Sequence, residues 1–151
     1  ALVIAFPLYV DSIPGSFLQV LRELEEPIRE RVSECRLYVL VNNGFYDARQ
    51  NEIAVDMAWR WCECCGLKRG RAMGLGGGEM AQAAPPGVGP SRNLGKALEQ
   101  MLADIREGNS GETILTEPNF PRFLYIAAGN MGWAMQAKKN GLKRSELRKR
   151  N

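Results

Sequence analysis

The chain has 151 residues, of which 20 are Lys or Arg, 17 are Asp or Glu and none is His. Without imidazole there is no Ser-His-Asp or Cys-His nucleophile pair, no His-ligated zinc and no side chain whose ordinary pKa lies near neutrality, which leaves carboxylates, amides, aromatic hydroxyls, thiols or a bound cofactor. A chain of this length buries about 68 to 70% of its unfolded surface as one domain, so a core needs neither disulfides nor metal.

Ala1 to Phe6 is an unbroken apolar run closed by Pro7, the pattern of a strand buried on both faces. It lacks the basic flank of a signal peptide, and no run reaches the roughly 18 to 20 apolar residues of a membrane span, so a cytoplasmic protein is expected. Because a buried strand starts at residue 1, elements upstream of it are expected to be missing from this sequence, leaving one strand edge open to dimerisation or aggregation.

Helical period then carries Phe17, Leu18, Leu21, Leu24, Ile28 and Val32, with Ser16 and Gln19 at capping-box spacing and Pro27 expected to kink or restart the helix. A second apolar run, Leu37 to Val41, stops at Asn42-Asn43-Gly44. The next helix carries Ile53, Ala54, Met57, Ala58, Trp61 and Cys62 and is opened by Asp47 with Gln50. Cys62 and Cys65 share its apolar face, Cys64 lies between them and Cys35 stands apart, so core thiols are favoured over a metal or redox site.

Arg71 to Leu75 is a weaker third strand, closed by Gly76-Gly77-Gly78, and Ala81 to Pro90 is a loop, either a lid or disordered. A third helix from Ser91 to Arg106 carries Leu94, Ala97, Leu98, Met101, Leu102 and Ile105 and stops at Gly108. A fourth opens at Pro121 and runs through Trp133 towards Lys139. Alternating strands and helices give α/β, three-layered, with a parallel sheet and right-handed crossovers. One domain is expected over residues 1–139, followed by a basic tail over 140–151.

Residues 138 to 151 hold Lys138, Lys139, Lys143, Arg144, Arg148, Lys149 and Arg150 against Glu146, a net +6 that leaves −3 for the rest. A solvated terminus is favoured over contact with nucleic acid or an anionic membrane, and no nucleic-acid partner is expected.

Ligands of open α/β sheets bind outside the carboxyl ends of the strands. Two of the three segments there, Pro7 to Gly15 and Asn42 to Asp47, are rich in aromatics, amides and glycine, which suits a planar heterocycle. Phosphate cradles do not fit: Glu79 stands where a dinucleotide fingerprint beginning at Gly74 needs a small residue. Near Lys96, Pro90 and Ala97 replace the glycine and hydroxyl of a P-loop.

Phe6-Pro7-Leu8-Tyr9-Val10-Asp11-Ser12-Ile13-Pro14, followed by Val41-Asn42-Asn43-Gly44-Phe45-Tyr46-Asp47, resembles the flavodoxin-like family of NAD(P)H-dependent FMN reductases. The similarity covers most of the chain, including Gly74 to Met80 and the segment from Phe120-Pro121-Arg122-Phe123 to Gly132-Trp133. It implies a flavodoxin-like three-layer sandwich of which this chain holds strands three to five of five. It also implies that the isoalloxazine ring of FMN lies against Pro7, Leu8, Tyr9 and Val10 and against Asn43, Gly44, Phe45 and Tyr46. NAD(P)H is the implied electron donor, the acceptor a small molecule such as a quinone, a nitro or azo compound, an iron centre or free flavin, and the assembly a homodimer. The family's first strand and its phosphate-binding loop have no counterpart, so FMN is expected to bind this chain weakly or not at all. No catalytic acid or base is implied, because hydride passes to the flavin itself; Asp11 and Asp47 read as turn and cap residues. The competing classes are a flavodoxin-type electron carrier, typically far more acidic than this chain, and a noncatalytic interaction domain acting through the basic tail.

Overall fold

The structure, a computed structural model, describes residues 1–31 and 34–142; Val32 and the tail residues Lys143, Arg144, Glu146, Arg148, Lys149 and Arg150 lie outside the described residues. The chain divides into two compact units, Ala1–Asn119 and Phe120–Asn151.

In the first unit, β1 (Leu2–Pro7), β2 (Arg36–Asn42), β3 (Lys68–Leu75) and β4 (Ile114–Thr116) form one parallel sheet in the order β1-β2-β3-β4. Three helices, α1 (Gly15–Arg31), α2 (Glu52–Cys64) and α3 (Arg92–Glu107), connect them. The fold is α/β, consistent with a flavodoxin-like sandwich, but with four strands where the sequence implied three. The three residues of β4 are too few to show a pattern, and the strand exists because Ile114 to Thr116 pair in register with Met73 to Leu75.

Side chains alternate along the strands except at a bulge in β3, where the register with β2 shifts between Leu37 and Val39 and Arg71 comes to the face opposite Arg69, and this sorts the sheet into two faces. Ile4, Phe6, Leu37, Val39, Val41 and Ala72 join the core formed with α1 and α2. Phe6 meets Phe17 of α1 with ring centroids 5.4 Å apart, and the Trp61 indole N–H of α2 donates to the Leu21 carbonyl of α1 at 2.7 Å. Each fully buried aliphatic side chain here contributes roughly 1.5–3 kcal/mol. Tyr38 and Arg71 point to the opposite face, where the Tyr38 hydroxyl donates to the Asp104 carbonyl at 2.8 Å and Arg71 pairs with the Asp104 carboxylate, both on α3. All three connections step the same way across the sheet, yet α3 lies on the face opposite α1 and α2. The last crossover therefore has the opposite hand from the first two, departing from the uniform right-handedness expected. The anchoring of α3 through Asp104 holds it there.

The local signals fare unevenly. Pro27 sits inside α1 without ending it, and Ser16 is the second residue of that helix, so no capping box forms there. Asp47 does cap: its carboxylate accepts from the Arg49 N–H at 3.1 Å, opening a 3-10 turn over Ala48–Asn51 that leads into α2. Leu18, Leu24, Ile53 and Leu102 are exposed, whereas the small residues Ala54 and Ala58 let α2 approach the sheet. Gly108 ends α3 at φ 69 as expected. Cys62 and Cys65 are buried, and desolvation pushes both thiols up to about 11. Residues 81 to 90 are folded between two 3-10 turns, Gly78–Gln82 and Gly89–Ser91; a Cβ on Gly95 would lie 2.3 Å from the Gly87 amide nitrogen, so α3 packs directly on this segment. The second unit is built on α4 (Arg122–Lys139), which begins after Pro121 as the sequence indicates.

Candidate functional site

The first two strands end side by side: Pro7 is in register with Asn42, and the Leu8 N–H donates to the Asn42 carbonyl at 2.7 Å. Beyond Leu8 the chain reverses in two residues. Tyr9 and Ser12 exchange N–H···O bonds of 3.1 Å each, while Val10 (φ 50) and Asp11 (φ 58) both adopt left-handed backbone. This is type I′ hairpin geometry, normally occupied by Asn and Gly. A β-branched residue there is strained by about 1–3 kcal/mol, and such strain collects at functional sites. Val10 is 96% exposed, so no packing of its side chain offsets that strain. The base of the turn is fixed instead, through buried Ile13 and through the Ser12 hydroxyl, which donates to the Met57 sulfur at 3.4 Å. The Tyr9–Ser12 bonded pair leaves the N–H groups of Val10 and Asp11 outside it, and Tyr9 is 64% exposed.

The loop after β2 is closed by its own asparagine. Buried Asn43 accepts from the Phe45 N–H at 2.8 Å and donates from its amide to the Asp47 carbonyl at 3.2 Å. Its side chain is therefore scaffold, and what it presents outward is Phe45, 62% exposed. Gly44 is exposed and Tyr46 half-buried.

The glycines after β3 wall this loop from behind. A Cβ on Gly76 would lie 2.2 Å from the Tyr46 carbonyl oxygen, so only glycine permits that approach, and one on Gly78 would lie 3.0 Å from the Asn43 carbonyl oxygen. Their amides are used in the packing: Gly76 donates to Thr116, Gly77 to Phe45 and Gly78 to Asn43. Turn glycines, as the sequence indicates, describe this segment, and its N–H groups are not aimed at a phosphate. Below lies Asn51, fully buried, donating to the Ala48 and Leu75 carbonyls at 3.0 and 3.1 Å with its Oδ1 unpartnered.

A cavity of about 240 Å³ adjoins the carboxyl half of the sheet on the α3 face, lined by Ala5, Phe6, Leu40, Met73, Leu94 and Leu98 among others, with no charged side chain. None of the eight residues expected at a ring site lines it, although their neighbour Asn42 does.

Of the eight, Pro7, Leu8, Tyr9 and Val10 form the end of β1 and its strained turn, and Gly44, Phe45 and Tyr46 form the adjoining loop. Asn43 holds that loop from inside. Sequence reasoning missed the left-handed Val10–Asp11 pair, because Val is the last residue a turn rule would place there. It also missed the buried Asn51, whose only signal is a polar residue beside a cap. Tyr9 and Phe45 offer flat apolar surface, and the turn offers backbone donors, at the end of a sheet where ligands bind. Among the described residues no helix is long and apolar enough to cross a membrane. No family model matches the chain, and no curated protein or solved structure matches it.

Proposed function

We propose that the chain supplies the ring-binding loops of an FMN site in an NAD(P)H-dependent oxidoreductase of the cytoplasm, one that reduces flavin, a quinone or another small acceptor. The observation that carries this reading is the strained Val10–Asp11 turn, with Val10 almost fully exposed, and exposed Phe45, in the two loops that follow parallel strands ending side by side. A turn with no packing reason for its strain is accounted for by a ligand that uses its surface.

The fit differs between the two parts of the cofactor. For the ring, Tyr9, Val10 and Phe45 would provide apolar contact, and the Val10 and Asp11 amides would donate to its polar edge. For the phosphate, the glycine amides after β3 are already bonded to Thr116, Phe45 and Asn43, and those described residues do not fit a dianion. FMN, when bound, supplies the hydride chemistry itself. The protein's part is to orient the ring and exclude water from one side of it, with Asn43 keeping the second loop rigid.

Titrating FMN with the chain while following flavin fluorescence tests the proposal. Saturable quenching, lost when Tyr9 and Phe45 are both replaced by Ala, supports it; absence of saturation overturns it.

A further inference from the structure

A backbone held at φ 50 on Val10 and φ 58 on Asp11 persists only where the structure around it over-determines it. Val10 is 96% exposed, so the constraint enters through the two ends of the turn. On one side the Leu8 N–H is bonded to the Asn42 carbonyl; on the other, Ile13 is buried and the Ser12 hydroxyl donates to the Met57 sulfur at 3.4 Å. Met57 lies on α2, and α2 grows out of the loop after β2 through the Asp47-capped turn over Ala48–Asn51. The Ser12–Met57 bond therefore ties the first loop to the helix that the second loop begins.

The acceptor in that bond is a thioether sulfur, an oxidisable atom. Met57 is half-buried, open enough for a small oxidant, whereas Met73 and Met101 are buried at 3% and 1% exposure. Met131 and Met135 are more exposed but belong to the second unit, and Met80 is held through its backbone N–H and carbonyl. Of the six methionines, Met57 is the one whose sulfur meets the turn. A thioether is a weak acceptor on a flexible apolar chain, and oxidation makes it a polar sulfoxide with an added oxygen. The sulfur and the hydroxyl oxygen are already 3.4 Å apart, which leaves no room for that oxygen between them. The sulfoxide must either displace Ser12 or turn away from it and break the bond.

We propose that Met57 is an oxidation-sensitive latch on the Val10–Asp11 turn, and that its reagent is hydrogen peroxide. The peroxide transfers one oxygen to the Met57 sulfur: the S–O bond forms as the O–O bond breaks, the sulfur is oxidised by two electrons and the peroxide leaves as water. The strained turn, no longer tied at Ser12, relaxes, and the Tyr9 and Ser12 N–H groups lose their mutual bonds. Methionine sulfoxide reductase returns the thioether and closes the latch. The consequence for FMN rests on the ring-site reading; the consequence for the backbone of the turn does not.

Hydrogen exchange on the full chain, before and after hydrogen peroxide followed by a thiol reductant, tests this. The reductant reverses sulfenate or disulfide at exposed Cys64 and leaves the sulfoxide in place. Peptide mass spectrometry is expected to find one added oxygen on Met57. The Tyr9 and Ser12 amides then exchange about tenfold faster, the scale of one lost hydrogen bond, while the amides of β2 keep their rates. Sulfoxide reductase restores the slow exchange. Met57→Leu, a volume-conserving change, does not respond to peroxide, and Met57→Gln, polar at the same place, exchanges fast without it. Met57 left unoxidised while Met131 and Met135 take up oxygen, Met57 oxidised with Tyr9 and Ser12 unchanged, or an equal response in Met57→Leu overturns the proposal. FMN affinity that falls on oxidation supports both the latch and the ring site. A chain that binds no FMN yet shows the peroxide-dependent exchange keeps the latch and removes the ring site.

Discussion

The amino-terminal half of the sheet and its carboxyl end treat polar and apolar groups in opposite ways. In the amino-terminal half, fully buried Tyr38 places its hydroxyl between the Asp104 and Asn109 carbonyls at 2.8 and 2.9 Å. Arg71 pairs with Asp104, both largely buried, and also donates to the Glu112 carbonyl at 2.8 Å. At the carboxyl end, large side chains stand in solvent and the backbone of Val10 is strained. Polar groups satisfied in a dry setting stabilise, whereas exposed apolar surface on a strained turn is what the proposed ligand would use. Stability and binding should therefore respond to different residues.

The largest effect expected is on stability alone. Asp104→Ala leaves the buried Arg71 guanidinium without its partner and should cost about 3 kcal/mol in urea unfolding, with FMN affinity unchanged. A comparable loss of affinity would break the separation between the two ends. Phe45→Ala is the mirror image: FMN binding falls about tenfold through lost aromatic contact, while stability moves by no more than about 0.5 kcal/mol. Val10→Asn comes next, because Asn tolerates left-handed backbone; it should raise stability by about 1 kcal/mol and weaken FMN binding a few-fold as apolar surface is lost. Unchanged or lower stability would show that the turn is not strained.

The smallest effect concerns the thiols under α2. Burial raises Cys62 and Cys65 to about 11 from the ordinary 9, so the folded chain holds protons that the unfolded chain releases in between. The stability present below about pH 9 is lost as pH rises towards 11. Urea midpoints should decline over that window, and Cys62→Ala should flatten the decline; an equal decline in the variant would assign it elsewhere.

Much of the fold was legible because its elements obey one local rule each. The apolar runs became β1 and β2, and Gly108 and Pro121 bounded α3 and α4 as turn chemistry requires. What was illegible depends on partners distant in the chain. β4 exists only by pairing with β3, and the first residues of β3, Lys68 and Arg69, look like surface until Arg36 and Leu37 are placed beside them. The hand of the last crossover follows from Asp104 meeting Tyr38, 66 residues away. At the site, the sequence located both loops through their aromatics and amides. It did not separate Phe45, which faces out, from Asn43, which holds the loop from within. Residue type says what a side chain can contact, and only the turn geometry says which way it faces.

The most direct test compares the dissociation constants of FMN and riboflavin for the unmodified chain under identical conditions. The proposed recognition through the Tyr9–Asp11 turn and Phe45 would use the ring that both ligands share, so weak, saturable binding with constants within about threefold is expected, a difference of less than about 0.7 kcal/mol. Tight FMN binding with no measurable riboflavin binding, or saturation by neither, would contradict it.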